Sequence, residues 1–547
     1  MARHEDPADL DLPPWREPAA TIVDSSAAAT EALAQLEAID DAAIALALLV
    51  PRTSSMIDPD DHRSGEVVAI AVARASGDVL VFGRTVLDAL APWLRRLAEP
   101  GAPYVVAHGA QTLVGRLSAR LGQDWAPARL GCTRTAAVLL AEGARNHDPP
   151  GLRECVAKVL RAAIDEPRIV PGEEAIAMRR LAVAADVVLP LSAALVPRLR
   201  ARELVATFGL ECRLVPAVVA MERAGMPVDA AAFERIADAW RHERSSATES
   251  DRIARLDKLL STYAHWPRDF VRADRIHCRL HPLAADTGRF SCTDPNLQQV
   301  PSEHTAPGLR RCFRPPPDRV LVVADYAQIE LRVAAQLAPC DALAAVFREG
   351  RDPHRATAAT LAGKAEPDVT AYERKLAKAV NFGFLFGMGA DRFRSYAASG
   401  YGLELDDAAA RAAREAFFST YPGIAAWHKR VGQLCRRGTP LVVRTALGRR
   451  RRFAADKTSV PAALNVPVQG TAAEGFKRAV VAAHPLLREL GGRGVLVVHD
   501  EYIAEVPRAR ADEARTRLEI AMRDAMATVV PKVPIVVEAR IVDSWSE

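Results

Sequence analysis

Hydrophobic positions along the chain switch between strand-like and helix-like periods, and three stretches stand out. Val320 to Ala324 is a short apolar, β-branched run, read as a buried strand that Asp325 ends. Ile329, Leu331, Val333, Ala334 and Leu337 then fall at helical spacing, so a helix from Gln328 onward packs back on the sheet. Gly494 to Val506 holds two β-rich runs flanking His499, Asp500 and Glu501, a hairpin with acids at its turn. Between them, Tyr372 to Gly389 reads as a helix with Arg374, Lys378, Phe382 and Phe386 four apart. Each step of four advances a helix face by only about 40°, so these residues share one surface.

The remainder is organised around these stretches. Residues 1–35 are acidic, Pro-containing and then Ala-rich, which predicts a flexible tail, helical near Ala27–Leu36. Over residues 36–203, strand patterns at Ile44–Leu49, Val67–Ala73, Asp78–Phe82 and Tyr104–Ala107 precede helical patterns from Gln111, an α/β order. Ala231 to about Ala264 is helical and charged, and Asp341 to about Gly438 is mostly helical.

Composition narrows the class less than the pattern does. At 547 residues with 49% hydrophobic content, the chain can bury two or three cores. A formal charge of +4 neither supports nor excludes nucleic acid, so local patches decide. The eight cysteines show no metal-ligand spacing and read as reduced thiols of a cytoplasmic protein. No apolar run approaches the ~18 residues of a membrane span, and the polar start is not a signal peptide.

The candidate chemistry lies in the same three stretches. An acid at the mouth of a strand suits a metal ligand held on a rigid element, although a helix N-cap is the ordinary use of such an Asp. The acids at the 499–501 turn have a similar alternative as solvated turn residues. If the sheet brings Asp325 and Asp500 together, they can hold two Mg²⁺ ions about 3.5–4 Å apart. The Arg374, Lys378, Phe382, Phe386 face orders cations before aromatic rings, which matches a nucleoside triphosphate; an amphipathic helix with a core aromatic stripe is the alternative. Gly383 and Gly387 would let a ligand approach the backbone closely.

These stretches resemble motifs A, B and C of the family A DNA polymerases, the DNA polymerase I type. Asp325-Tyr-Ala-Gln-Ile-Glu-Leu-Arg332 is similar to the family's Asp-Tyr-Ser-Gln-Ile-Glu-Leu-Arg. Arg374-x3-Lys378-x3-Phe382-Gly-x2-Phe386-Gly resembles Arg-x3-Lys-x3-Phe-Gly-x2-Tyr-Gly, and His499-Asp500-Glu501 resembles His-Asp-Glu. Thr287 to Gln298 and Asn465 to Ala473 add to the likeness, which covers roughly Leu210 to the C-terminus. The resemblance implies an α/β ribonuclease H-like N-terminal domain over 36–203, a degenerate 3′–5′ exonuclease-like domain. It also implies an α+β right-hand polymerase domain over 204–547, with a shortened thumb about 230–270, palm about 275–340 and 440–547, and fingers about 341–438.

By the same resemblance the chain is a DNA-templated DNA polymerase that adds deoxynucleotides to a primer 3′-OH. Asp325, Asp500 and the Tyr326 carbonyl would hold two Mg²⁺ ions, with Lys378 as a general acid and Glu501 as an auxiliary catalytic carboxylate. Arg374, Lys378, Phe382, Phe386, Gln328, Glu330 and His354 would bind the dNTP, with Arg374 and His354 neutralising its phosphates. Arg289, Asn296, Gln298, Asn465, Gln469 and His499 would bind primer-template DNA. Glu330 and Phe386 would wall off the ribose 2′ position, and Phe386 lacks the hydroxyl of the family's Tyr that bonds to this Glu. The Arg449 to Arg452 run is read as a DNA-backbone patch.

Departures from the family pattern set further expectations. The first exonuclease motif, Asp-x-Glu, aligns with Ala45-Leu-Ala-Leu-Leu-Val50; the second aligns with His108-Gly-Ala-Gln-Thr-Leu113; of the third only Asp186 survives, itself read as a helix N-cap. One carboxylate cannot hold two metals, so proofreading is expected to be absent. The first 35 residues are too few for a 5′-nuclease domain. The short thumb implies low processivity. A bacterial or phage-encoded monomer is expected, without a membrane partner. A catalytically silent primer-template binding protein is the competing reading. A single-subunit RNA polymerase is a third, disfavoured by Glu330.

Overall fold

The computed structural model describes residues 15, 17–38, 40–50, 66–143 and 149–546. The chain divides into two compact units: residues 1–284 with 292–313 and 493–496, and residues 285–291 with 314–492 and 497–547.

The first unit is built on a six-stranded sheet. Its strands are β1 (Ala19–Val23), β2 (Ala43–Leu49), β3 (Ala69–Arg74), β4 (Asp78–Gly83), β5 (Tyr104–Ala107) and β6 (Leu130–Cys132), in the order β1-β4-β3-β2-β5-β6. β3 runs antiparallel to β2 and β4, while β2, β5 and β6 are mutually parallel. That antiparallel meander continued by parallel strands is the ribonuclease H-like arrangement. Part of the stretch read as a tail is in fact the edge of this sheet, because β1 pairs in parallel with β4 from Ala19–Asp78 to Val23–Phe82. Helix α1 (Ser26–Glu37), capped by Ser25, follows it and buries Ala29, Ala32 and Leu36. The remainder of the expected tail, residues 1–14 and 16, lies outside the described residues.

Strand periodicity gives this sheet two unlike faces. Ile44 and Leu46 point into a core of large side chains with Ile70, Val72, Leu80 and Phe82. Ala45, Ala69, Ala71 and Ala73 point the other way, against Ala177, Leu181, Ala182 and Ala185 of helix α2 (Glu174–Asp186). Small residues on both sides let the helix lie close on the strands. Asp186 is not an N-cap. It ends α2 and accepts a 2.6 Å bond from Trp15 Nε1, while burial raises its pKa.

Helices α2 and α3 (Val188–Ala201) together form a run, Glu174–Ala201, that is long and apolar enough to cross a membrane by length and composition, contrary to the sequence reading. Half of its apolar window is buried within the protein. Packing on the sheet and against Leu139, Val156 and Leu204 accounts for its hydropathy.

The two units do not part at residue 203. Helix α4 (Val205–Ala224) sends Cys212, Val215 and Val219 into the core beneath β2, and Glu222 accepts bonds from Gln111 Nε2 at 2.9 Å and Leu280 N at 2.7 Å. The expected thumb is a pair of helices, α5 (Ala230–Ser246) and α6 (Ser250–Tyr263), of 17 and 14 residues. Asp229 caps the first, and Arg244 of α5 grips Asp257 of α6 through two bonds of 2.6 and 3.2 Å.

The second unit contains β7 (Arg319–Tyr326), β9 (Glu501–Pro507) and β10 (Val537–Val542) of a four-stranded sheet whose remaining strand is β8 (Arg493–Val498), ordered β8-β9-β7-β10. β7 is antiparallel to both of its neighbours. Val320 to Ala324 are at most 1% exposed, which explains an apolar run without alternation. The same unit holds an all-helical segment from Asp341–Arg348 to Pro422–Cys435, and the long helix α7 (Val460–Glu489) packed on α8 (Ala511–Ala527). All eight cysteines are free and all but Cys435 are buried, as expected for reduced thiols.

The alanine face of β2 makes one prediction. Ala45→Asp would place a carboxylate at a site with 0% exposure and cost about 3–5 kcal/mol. Denaturant titration should show the N-terminal domain melting earlier, and an unchanged midpoint would contradict the close packing of α2.

Candidate active site

The strand β7 carries Asp325 one residue beyond its last pairing with β9, Ala324 opposite Tyr502. It does not end there: Asp325 pairs with Glu538 and Tyr326 with Val537 on β10. The helix that follows (Ile329–Leu337) has Gln328 as its N-cap, in the left-handed region at φ 48°. The Asp325 carboxylate is therefore not spent on capping that helix. Its Oδ1 accepts from Tyr326 N at 2.8 Å.

Asp500 sits in the tight connection between β8 and β9, where His499 takes φ 56°. Burial first, and then the charges of Asp500 and Glu501, together push Asp325 up to about 7. Burial raises Asp500 too, opposed by the nearby Arg289 guanidinium. Two carboxylates thus share a partly buried sheet end. Glu501 is engaged differently, accepting from Trp545 Nε1 at 3.0 Å with Arg540 at 3.7 Å. It acts on the site through its charge. Glu538 was not recognised in the sequence as part of this site; its only signal is the alternating pattern of the last strand.

Among the described residues there is no group of three or more His, Cys, Asp or Glu side chains able to hold a metal. The donor set nevertheless fits Mg²⁺, which takes one or two carboxylates and completes its shell with water and substrate phosphates. Asp325, Asp500 and the Tyr326 carbonyl provide oxygen ligands of that kind.

Beside these acids, Glu330 Oε1 receives Arg289 Nη2 at 2.5 Å and Gln469 Nε2 at 3.2 Å. Two residues expected on DNA therefore brace the expected sugar gate, and Glu330 is fixed without a hydroxyl on residue 386. Asn465, on the same helix as Gln469, has a buried Oδ1 that finds no donor among the described residues. Asn296 accepts from Gln298 N at 3.1 Å within a short helical turn, and both residues belong to the first unit.

The cationic helix, Ala371–Leu385, starts at a capping box in which Thr370 and Glu373 exchange bonds. Its buried face carries Ala377, Val380, Asn381 and Phe384, and Phe384 packs 4.4 Å from Phe393. Arg374, Lys378 and Phe382 lie on the other, more open face, so the aromatic core stripe is Phe384, Phe393 and Phe417 rather than Phe382. Phe386 is the C-cap, one residue past the helix, and Gly387 follows at φ 77°. Neither glycine is explained by ligand approach. A Cβ on Gly383 would come within 2.9 Å of the Phe393 ring, and Gly387 supplies the left-handed turn.

Arg374 pairs with Asp352 at 2.6 Å, and Asp352 also caps the helix Pro353–Ala362. His354 in that helix is 2% exposed, and burial lowers its pKa to about 4. In the free chain burial therefore keeps the His354 ring neutral at neutral pH. The arginine run is also not a uniform patch. Arg449 is buried beside Gly288, Arg451 pairs with Asp286 at 2.8 Å, Arg450 is half-buried, and Arg452 is exposed.

Comparison with known proteins agrees with this geometry. The family model described as DNA polymerase family A matches residues 213–547, more than half of the chain. DNA polymerase I of Aquifex aeolicus is 34% identical over 282 residues, covering 51% of this chain and 48% of that protein. The thermostable DNA polymerase I of Thermus aquaticus is 38% identical over 349 residues, covering 60% of this chain and 39% of that protein. DNA polymerase I of Pseudomonas aeruginosa is 39% identical over 307 residues, covering 53% and 32%. The chain thus spans about half, or less, of the length of these relatives. A solved structure of the POL domain of Pol1 from M. smegmatis, in complex with DNA primer-template and dNTP, superposes with a TM-score of 0.79. That match covers 96% of this chain and 99% of the other at 22% identity, a likeness of fold that carries the right-hand polymerase architecture. With its three motifs brought onto one sheet end and one helix face, this chain belongs to DNA polymerase family A.

Proposed function

We propose that the chain is a DNA-templated DNA polymerase that extends a primer 3′-OH with deoxynucleotides, using Mg²⁺ held by Asp325, Asp500 and the Tyr326 carbonyl. The observation that carries this reading is the pair of partly buried acids on β7 and the β8–β9 turn, whose shared burial raises both pKa values. A protein that only binds primer-template has no use for such an uncompensated pair. Bound there, divalent cations would lower the pKa of the primer hydroxyl and stabilise the charge on the leaving pyrophosphate.

The chain's own residues divide the remaining tasks. Arg374 and Lys378 offset the triphosphate charge, and Lys378, exposed at the open face, is placed to protonate the leaving group. Phe382 stacks on the nucleotide. Glu330, braced by Arg289 and Gln469, stands against a ribose 2′-OH. Arg289, Gln469, Asn465 and His499 contact the duplex, together with Asn296 and Gln298. Minor-groove acceptors are shared by all correct pairs, so these contacts test pair shape without reading sequence.

The N-terminal domain acts as a scaffold without proofreading. The strand that aligns with the first nuclease motif gives its alanine face to α2, and Asp186 is bonded to Trp15. We also place the protein as a soluble monomer of a bacterial cytoplasm, in line with its bacterial relatives.

Primer extension tests the reading with a matched primer and one with a 3′-terminal mismatch. The matched primer should be extended, Asp500→Asn should lower the rate at least about a hundredfold, and neither primer should shorten. No extension by the wild type would make this a binding protein; shortening that survives Asp500→Asn would return nuclease function to the first domain. In the same assay, Glu330→Ala should lower discrimination against ribonucleotides by about tenfold or more. Unchanged discrimination would remove Glu330 from the sugar gate.

A further inference from the structure

Beneath the nucleotide-facing helix lies a buried polar cluster that the reaction above does not use: Asn381, Thr357, Tyr421 and the inner nitrogen of His354. Asn381 Nδ2 lies 3.3 Å from Pro353 O and 3.0 Å from His354 Nδ1, and its Oδ1 lies 2.9 Å from Thr357 Oγ1. Asn381 and Thr357 are 0% exposed, and Tyr421 is 1% exposed. At such burial each donor is expected to meet an acceptor within the cluster.

That requirement fixes the protons one by one. A backbone carbonyl only accepts, so the amide atom facing Pro353 O must be the nitrogen. An amide nitrogen only donates, so its second hydrogen goes to His354 Nδ1, which must carry a lone pair. Thr357 faces two acceptors, Asn381 Oδ1 and Pro353 O at 2.8 Å, so its own proton is committed to them. Tyr421, at 2.8 Å, therefore donates to Thr357.

We propose that Asn381, oriented by Thr357 and Tyr421, is a positioning residue that locks His354 as the neutral tautomer protonated on Nε2, so that the ring offers the incoming triphosphate a hydrogen-bond donor. The other tautomer would turn a lone pair toward anionic oxygens. Charged groups acting on the ring are Asp352, which favours the imidazolium, and Arg374 and Lys378, which oppose it. Burial outweighs them and keeps the ring neutral. The ring lies 5.8 Å from Phe382, which ties it to the same nucleotide-facing helix. The tautomer assignment stands on the hydrogen bonds alone; only the identity of the ligand rests on the polymerase reading.

The test uses the full chain with ¹⁵N-labelled histidine, the His354 signals being assigned by their loss in His354→Gln. In the wild type between pH 6 and 8.5, Nε2 should carry the proton and Nδ1 none. A proton on Nδ1, or an imidazolium, overturns the proposal, and this readout needs no catalysis. Asn381→Asp replaces the donor with an acceptor and should move the proton to Nδ1. Its KM for dNTP should rise roughly tenfold at pH 8.5, the worth of one hydrogen bond to a charged group, and recover at pH 6, where the introduced carboxylate, by favouring the imidazolium, leaves both ring nitrogens protonated. A KM unchanged at both values, or raised equally at both, would mean a structural role and overturn the positioning claim. If Asn381→Asp does not fold, the wild-type spectrum still decides the tautomer. If the wild type shows the expected tautomer but extends no primer, the polymerase reading fails while the lock stands.

Discussion

Two carboxylates, Asp325 and Asp500, are forced together at the end of an apolar sheet, and much of the second unit follows from that. Val320 to Ala324 is buried, so the strand that presents Asp325 cannot shift to relieve the repulsion. The backbone bond from Tyr326 N and the Arg289 guanidinium offset only part of the cost, and Asp325 remains near a pKa of 7. Such a site is poised for cations: the folded chain holds apart from water what a divalent ion would neutralise.

The neighbouring side chains are arranged around the same charge problem. Arg289 bonds to Glu330 and opposes the rise in Asp500, so one guanidinium serves both Glu330 and the paired acids. The helix 371–385 keeps its cations on the open face and its ring packing on the buried one. His354 is the exception among the expected phosphate ligands, because burial takes away its charge and leaves its hydrogen-bonding geometry to Asn381. The first unit shows the opposite solution. Its sheet face packs alanine on alanine, and Asp186 is bonded to Trp15.

Legibility in the sequence followed the range of the interactions. The strand before Asp325, the 499–501 turn and the Arg374, Lys378, Phe382 face were readable because each is set by spacing within a few residues. The helix pair over 230–263 was readable from its charged helical pattern. What was missed depends on distant partners. β1 was hidden in an Ala-rich stretch because its pairing partner, β4, lies about sixty residues on. Helix 205–224 buries its apolar side in the core of the first unit, a packing that local pattern does not report. Gly383 is a glycine because of Phe393, and Phe386 falls beyond the helix end, neither of which periodicity can report. The charge state of His354 depends on burial and so was invisible as well.

The claim at the centre is that Asp325 is held partly protonated until a cation arrives. Calorimetric titration of Mg²⁺ into the free chain, in two buffers of different ionisation enthalpy, counts the protons released on binding. Proton release is predicted at pH 7, with none at pH 9, and a smaller release at pH 7 in Asp325→Asn. Binding at pH 7 with no buffer dependence, or a release undiminished in Asp325→Asn, would contradict it.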